Sequence, residues 1–302
     1  EPNEAIAHMN AWINRALEID RENGRAWALL ALLEYGQGNQ GASVTMSGLR
    51  AVRFAPRFTG SHVALSVGLS SSFLSLQATR EAARLDPLYL YPPTMSAGSL
   101  ATLGRTEEAL AENERALEIE PDLSIALLNK VGFLHKLGRL EEATEVLNRL
   151  QPMVAEGRVN AGWFQGLSDE NVLLRSEPGE AKEELHRLLA LASGELPVPY
   201  WQMFAHASID KLGGRGRIAE AKELLLRLDQ AGIVEEYDGL ALSPDKGWVR
   251  EEPSLEPIVQ KSKEKFEATM AILMDARAKG ELPAYLEAPL DELRSRLGYD
   301  EP

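Results

Sequence analysis

The sequence contains no cysteine, which excludes disulfides, thiolate metal sites and cysteine nucleophiles together. That absence does not separate cytosol from periplasm. No run of about 18 apolar residues occurs, so no bilayer-spanning helix is expected. Positive charge is scarce: 32 lysines and arginines stand against 46 aspartates and glutamates, a net charge of −14. A surface of that sign argues against broad binding of nucleic acid or anionic membranes. Catalytic signatures are missing too, with neither His-Glu-x-x-His nor Gly-x-Ser-x-Gly present. The remaining composition, 44% hydrophobic and 26% charged, carries no disorder signal.

What is there is repetition. Leu103-Gly104-Arg105-Thr106-Glu107-Glu108-Ala109 returns 34 residues later as Leu137-Gly138-Arg139-Leu140-Glu141-Glu142-Ala143. A fixed period of this length marks a helix-turn-helix unit that stacks on its neighbours. Gly104 and Gly138 suit a left-handed turn closing a first helix. The acidic pairs suit the positive dipole end of a second helix. Ala109 and Ala143 are small where two helices must approach closely, and Pro121 stops the unit. Leu127, Val131 and Leu134 share one helical face, as do Ala143, Val146, Leu147 and Leu150. Glu145 and Arg149 are spaced for an i,i+4 ion pair.

Weaker units flank these two. Ala16 to Asp20 reads as the close of a second helix, so the array is expected to begin on a half-repeat or to continue a longer protein. A fuller unit runs from about Gly24 to Pro56, with Trp27, Leu30, Ala31 and Gly38 at its large, large, small and turn positions. The next ending, Pro87, follows 31 residues after Pro56, and Ser70-Ser71-Ser72 predicts a trimmed turn. Beyond Gly157 the period stretches: Ala181 and Ala221 continue the small positions at intervals of 38 and 40, with Trp163 and Trp201 opening those units. Residues 1–235 are therefore expected to form the array, and residues 236–302 an acidic linker with C-terminal capping helices. Between Glu235 and Glu256 seven acidic residues stand against two basic ones, and Pro244, Gly247 and Pro253 break the periodicity. Ser254 is placed to cap a long helix carrying Leu255, Ile258, Val259, Phe266, Met270, Leu273 and Met274 on one face. That helix is expected to lie across the last repeat, because solenoids need their open ends covered. Leu290, Leu293 and Leu297 predict a final short helix.

The period and these positions resemble the tetratricopeptide repeat family over most of residues 1–235. The resemblance implies an all-α fold, a right-handed superhelical solenoid of helix-turn-helix repeats with a C-terminal capping helix. It further implies a non-catalytic protein–protein interaction scaffold that holds a peptide or protein segment in its concave groove. The family's groove positions fall on Tyr91, Thr94, Gly98, Ala101 and Thr102, then on Ile125, Leu128, Gly132, His135 and Lys136. Of these, Tyr91, Thr94, Thr102, Leu128, His135 and Lys136 are the candidate partner contacts, offering apolar area with a few polar handles. Chaperone-binding members use a clamp of basic residues and asparagine; Ala28 and Leu32 occupy the corresponding places here, a departure from that pattern. The weak repeats, Leu240 to Asp245 and Glu252-Pro253-Ser254 are similar to the arrays of bacterial regulators of the adenylate-cyclase and winged-helix types. That similarity implies a regulatory or sensing module of a larger protein. The competing class is a small-molecule sensor, its ligand enclosed by the superhelix with Tyr89, Tyr91, Tyr200 and Trp201 as walls. No cofactor or metal, and no nucleic-acid or membrane partner, is expected for this segment.

Two local patterns carry chemistry on paper. Gly213-Gly214-Arg215-Gly216 precedes a helix as a phosphate cradle would, but it falls where a repeat needs its inter-helix turn. His206 and Asp210 lie one helical turn apart without a third ligand nearby, so packing groups are the expected reading.

Overall fold

The computed structural model describes residues 2–299 apart from 38, 40, 193–200 and 235. Every regular element among the described residues is helical. An opening helix, α1 (Pro2–Ile19), is followed by α2 (Gly24–Gly36) and α3 (Ala42–Phe54), then α4 (Thr59–Gly68) and α5 (Ser72–Leu85). The next pairs are α6 (Tyr91–Thr102) with α7 (Thr106–Ile119) and α8 (Ser124–Leu137) with α9 (Leu140–Ala155). They continue as α10 (Ala161–Arg175) with α11 (Lys182–Ala192), and α12 (Trp201–Gly214) with α13 (Ile218–Gln230). The tail holds α14 (Tyr237–Leu242), α15 (Gly247–Glu251), α16 (Glu256–Ala278) and α17 (Ala284–Arg296). The protein is an all-α helical-repeat solenoid.

One local device recurs at the inter-helix turns. Gly104, Gly138 and Gly216 adopt φ of +78°, +77° and +74°, a region that side-chain-bearing residues enter at a cost. Each glycine precedes an arginine that grips the glutamate three residues on. Arg105 reaches Glu108 at 2.7 and 2.6 Å, Arg139 reaches Glu142 at 2.6 Å through both nitrogens, and Arg217 reaches Glu220 Oε1 at 2.6 Å. The first two pairs are exposed and screened by solvent, so each contributes little to stability; their effect is to set the first turn of the second helix. The Gly213–Gly216 run thus holds the last two residues of α12 and the turn to α13, which Gly216 makes. Ala109, Ala143 and Ala221 are fully buried, as close helix contacts require. Arg149 binds Asp122 at 2.8 Å, not Glu145 as its spacing suggests, because the preceding turn also offers it the Pro121 carbonyl.

The chain forms two compact units: residues 1–99 with 236–238 and 262–302, and residues 100–235 with 239–261. In the first unit, Ala28, Ala31, Val44, Ala51 and Ala64 make a small-residue core beside Trp27. A Cβ on Gly48 would lie 2.6 Å from Leu65 Cα, so glycine permits the close approach of α3 and α4. The trimmed turn does fall at Ser70–Ser71, between α4 and α5. There the buried Asp238 accepts from Ser71 Oγ at 2.8 Å, Ser72 N at 3.2 Å and Phe73 N at 2.9 Å. A carboxylate at the N-terminus of α5 satisfies backbone donors the helix cannot. Asp238→Ala should cost about 1–2 kcal/mol, in the range of lost caps; a urea midpoint that stays put would show the cap to be dispensable. The tail also packs in this unit. Thr269 Oγ1 lies 3.2 Å from Ser70 Oγ, Tyr285 Oη 2.9 Å from His62 Nδ1, and α17 buries Leu286, Leu290 and Leu293 completely.

In the second unit, Leu173, Leu188, Leu212, Leu224 and Leu228 form the core, joined by Leu255 from the 3-10 turn before α16 and Ile258 from the first turn of α16. Of the apolar face expected to cover the last repeat, Leu255, Ile258 and Val259 do so, while Phe266, Met270 and Leu273 are buried within the first unit. A helix of 23 residues spans about 35 Å, more than one hairpin can cover. Ser254 does not cap α16: it lies in a 3-10 turn, its Oγ 2.7 Å from Glu252 Oε1. Pro257 stands in the first turn of α16 and has no N–H to be satisfied. Gly38 lies outside the described residues.

Candidate partner-binding surface

The six candidate contacts divide between the units, Tyr91 and Thr94 in the first and Thr102, Leu128, His135 and Lys136 in the second. Tyr91 opens α6 with 51% of its surface exposed, and its ring stacks on Tyr89 at a centroid distance of 6.3 Å. Leu88, 76% exposed, stands beside this pair in sequence. Thr94 is buried and its hydroxyl donates to the Tyr91 carbonyl at 2.8 Å. Leu128 is buried, and Thr102 is half-buried at the end of α6.

His135 and Lys136 are not the exposed polar handles their positions suggest. His135 is fully buried; its Nδ1 lies 2.7 Å from Glu170 Oε2 and its Nε2 3.2 Å from Asn171 Oδ1. Lys211 Nζ approaches the same glutamate oxygen at 2.6 Å. An ionised carboxylate only accepts, so the Nδ1 of His135 carries the proton. Burial by itself would raise the Glu170 carboxyl, but Lys211 and His135 outweigh it and hold it at about 2. Burial pushes His135 below its usual value, with the Glu170 hydrogen bond opposing. Lys136 donates to the Ala101 carbonyl at 2.6 Å and to Asp210 at 3.2 Å, and lies 2.8 Å from Asp245 Oδ2. The physical reason is the repeat itself. A residue on one first helix lies beside its equivalent on the next, so charges on that face satisfy one another inside the chain.

Glu170, Lys211, Asp245 and Lys246 are the residues that sequence reasoning missed here. A signal existed: His135 and Glu170 are 35 residues apart, one period. Glu170 and Lys211 are 41 apart, one stretched period. Opposite charges one period along an inner helix face mark such pairs. Asp210, weighed as a metal ligand, is an ion-pair partner, while Tyr200 and the side chains of Trp201 and His206 lie outside the described residues. Among the described residues no group of three or more histidines and acids could hold a metal, and no helix is long and apolar enough to cross a membrane.

A stack of helical hairpins with small alanines at the contacts and left-handed glycines in the turns defines a helical-repeat protein. Residues 100–161 match the tetratricopeptide repeat family. A 63-residue stretch is 38% identical to Protein STIP1 homolog of Dictyostelium discoideum, covering 21% of this chain and 11% of that protein. The likeness is therefore confined to a small part of both chains.

Proposed function

We propose that the protein is a non-catalytic protein–protein interaction scaffold, a regulatory or sensing module that receives a peptide or protein segment along its first helices. The observation that carries this reading is the exposed, stacked Tyr89–Tyr91 pair at the start of α6, with Leu88 beside it. Rigid aromatics that present a large apolar face and a polar edge are the commonest anchors of protein interfaces. Repeat arrays offer extended surfaces of this kind. Thr94 and Leu128 serve the reading from beneath, by fixing the helices that carry the surface. His135 and Lys136 do so through their internal pairs, and Thr102 lies at the edge.

Tyr91→Ala should lose about 1–3 kcal/mol of partner affinity, roughly a 5- to 150-fold weakening, without changing thermal stability. Affinity capture with the unsubstituted and substituted chains, followed by titration of whatever is retained, provides the check. Equal recovery of every partner would move the surface away from Tyr91.

A further inference from the structure

Gly213 has no turn to make. It lies inside α12, where glycine weakens a helix, yet a Cβ there would run into the indole of Trp248. Two further close approaches lie along the same edge of the second unit. A Cβ on Gly104 would meet Pro244 Cδ at 2.7 Å, and one on Gly239 would meet Thr102 Cγ2 at 2.9 Å. Between them runs an alternating row of charges. Asp245 Oδ2 lies 2.8 Å from Lys136 Nζ, which lies 3.2 Å from Asp210 Oδ2, and Asp210 Oδ1 lies 3.3 Å from Lys246 Nζ. Ser243 and Lys246 are buried to within 1%. The segment closes its turns on itself: Ser243 N–H donates to Gly239 O at 3.1 Å, and Arg250 reaches the carbonyls of Leu240 and Ser243 at 2.6 and 3.1 Å. Side chains of an already compact turn seat it on the repeats.

We propose that the edge formed by Thr102, Gly104, Lys136, Asp210 and Gly213 is a peptide-binding site, occupied in cis by residues 239–248. In trans it takes a partner segment with the same order, a proline followed by an acid, a base and, two residues on, an aromatic ring. The acid meets Lys136 and the base meets Asp210, so the charge order fixes the direction of the bound segment. An incoming segment must displace the resident one, which lowers its apparent affinity by the fraction of time the edge is vacant. The edge shares Thr102 and Lys136 with the candidate groove but does not include Tyr91, so Tyr91→Ala should leave it unchanged.

The test uses the full chain and a fluorescent synthetic peptide of residues 239–250. Asp245→Ala/Lys246→Ala in the chain loosens the resident segment, and the peptide should then bind about tenfold or more tightly than to the unsubstituted chain. A peptide with the acid and base exchanged should lose about tenfold on the same chain. Equal binding by both chains, or by both peptides, overturns the proposal. Hydrogen exchange on the unsubstituted chain decides the matter should the double variant not fold. Amides of 239–248 opening ahead of α8 and α12 support a displaceable segment, and exchange only together with those helices overturns it.

Discussion

Replacing Glu170 by glutamine is expected to lower the stability of the second unit by about 3–5 kcal/mol, the usual result of removing one member of a buried ion pair. Glu170 is fully buried, Lys211 is 3% exposed, and both Lys211 and His135 bond to its Oε2. The substitution keeps the shape and removes the counter-charge. The melting temperature should fall by on the order of 10 °C. Adding Lys211→Met should recover part of the loss, since an apolar replacement of a whole buried pair is often tolerated. The pH dependence has a defined sign. Glu170 is held at about 2 against an ordinary 4.5, and His135 lies below its ordinary 6.5. Both groups bind fewer protons folded than unfolded, so their contribution is complete above about 6.5. It declines as pH falls, first through the histidine and then through the carboxylate. In Glu170→Gln the carboxylate part of this acid-side loss should vanish. An unchanged urea midpoint at pH 7, or an unchanged acid limb, would show that the trio does not act as a buried charged group.

Ala143→Glu should be at least as damaging. Ala143 is fully buried on α9, and α9 packs against both α8 and α10. A glutamate there must either carry an unpaired charge into the contact, at a cost of several kcal/mol, or push the helices apart. Because each hairpin is stabilised mainly by its neighbours, protection against hydrogen exchange should fall in α8 and α10 as well as α9. Ala143→Ser adds little volume and serves as the mild comparison. Should the glutamate variant melt like the parent, the close contact at this position would be wrong.

The parts of the fold that were legible are those written within one hairpin. Gly138, Glu142 and Ala143 lie within six residues, and each acts on the turn or contact next to it, so spacing alone conveys their places; the grip of Arg139 on Glu142 came from the structure. The trimmed turn at Ser70–Ser71 was visible as a shortened period for the same reason. What lay hidden joins distant parts of the chain. Lys136 looked like a groove cation, because its position in one repeat carries no trace of Asp210, 74 residues on, or of Asp245 in the tail. Asp238 looked like one acid among many in an acidic stretch until Ser71 and Ser72 came to meet it. The tail's apolar stripe was legible as a stripe, but nothing in its periodicity assigns Phe266 and Leu255 to different units. Of the candidate surface, Tyr91 was placed by the repeat register, and the structure leaves it half exposed.

The docking of the tail in the first unit bears on how the protein is made. A simple stack of repeats can fold from one end as it leaves the ribosome, each hairpin settling on the last. Here the bonds from Thr269 to Ser70, from Tyr285 to His62 and from Glu281 to Arg53 close sequence separations of 199, 223 and 228 residues. The sites that α16 and α17 will cover on the first unit must therefore wait through the synthesis of all the intervening repeats. Contacts so remote in sequence slow the final step of folding. At about 5–20 residues per second, that wait is on the order of ten seconds or more, during which apolar surface near the beginning of the chain is open to other proteins.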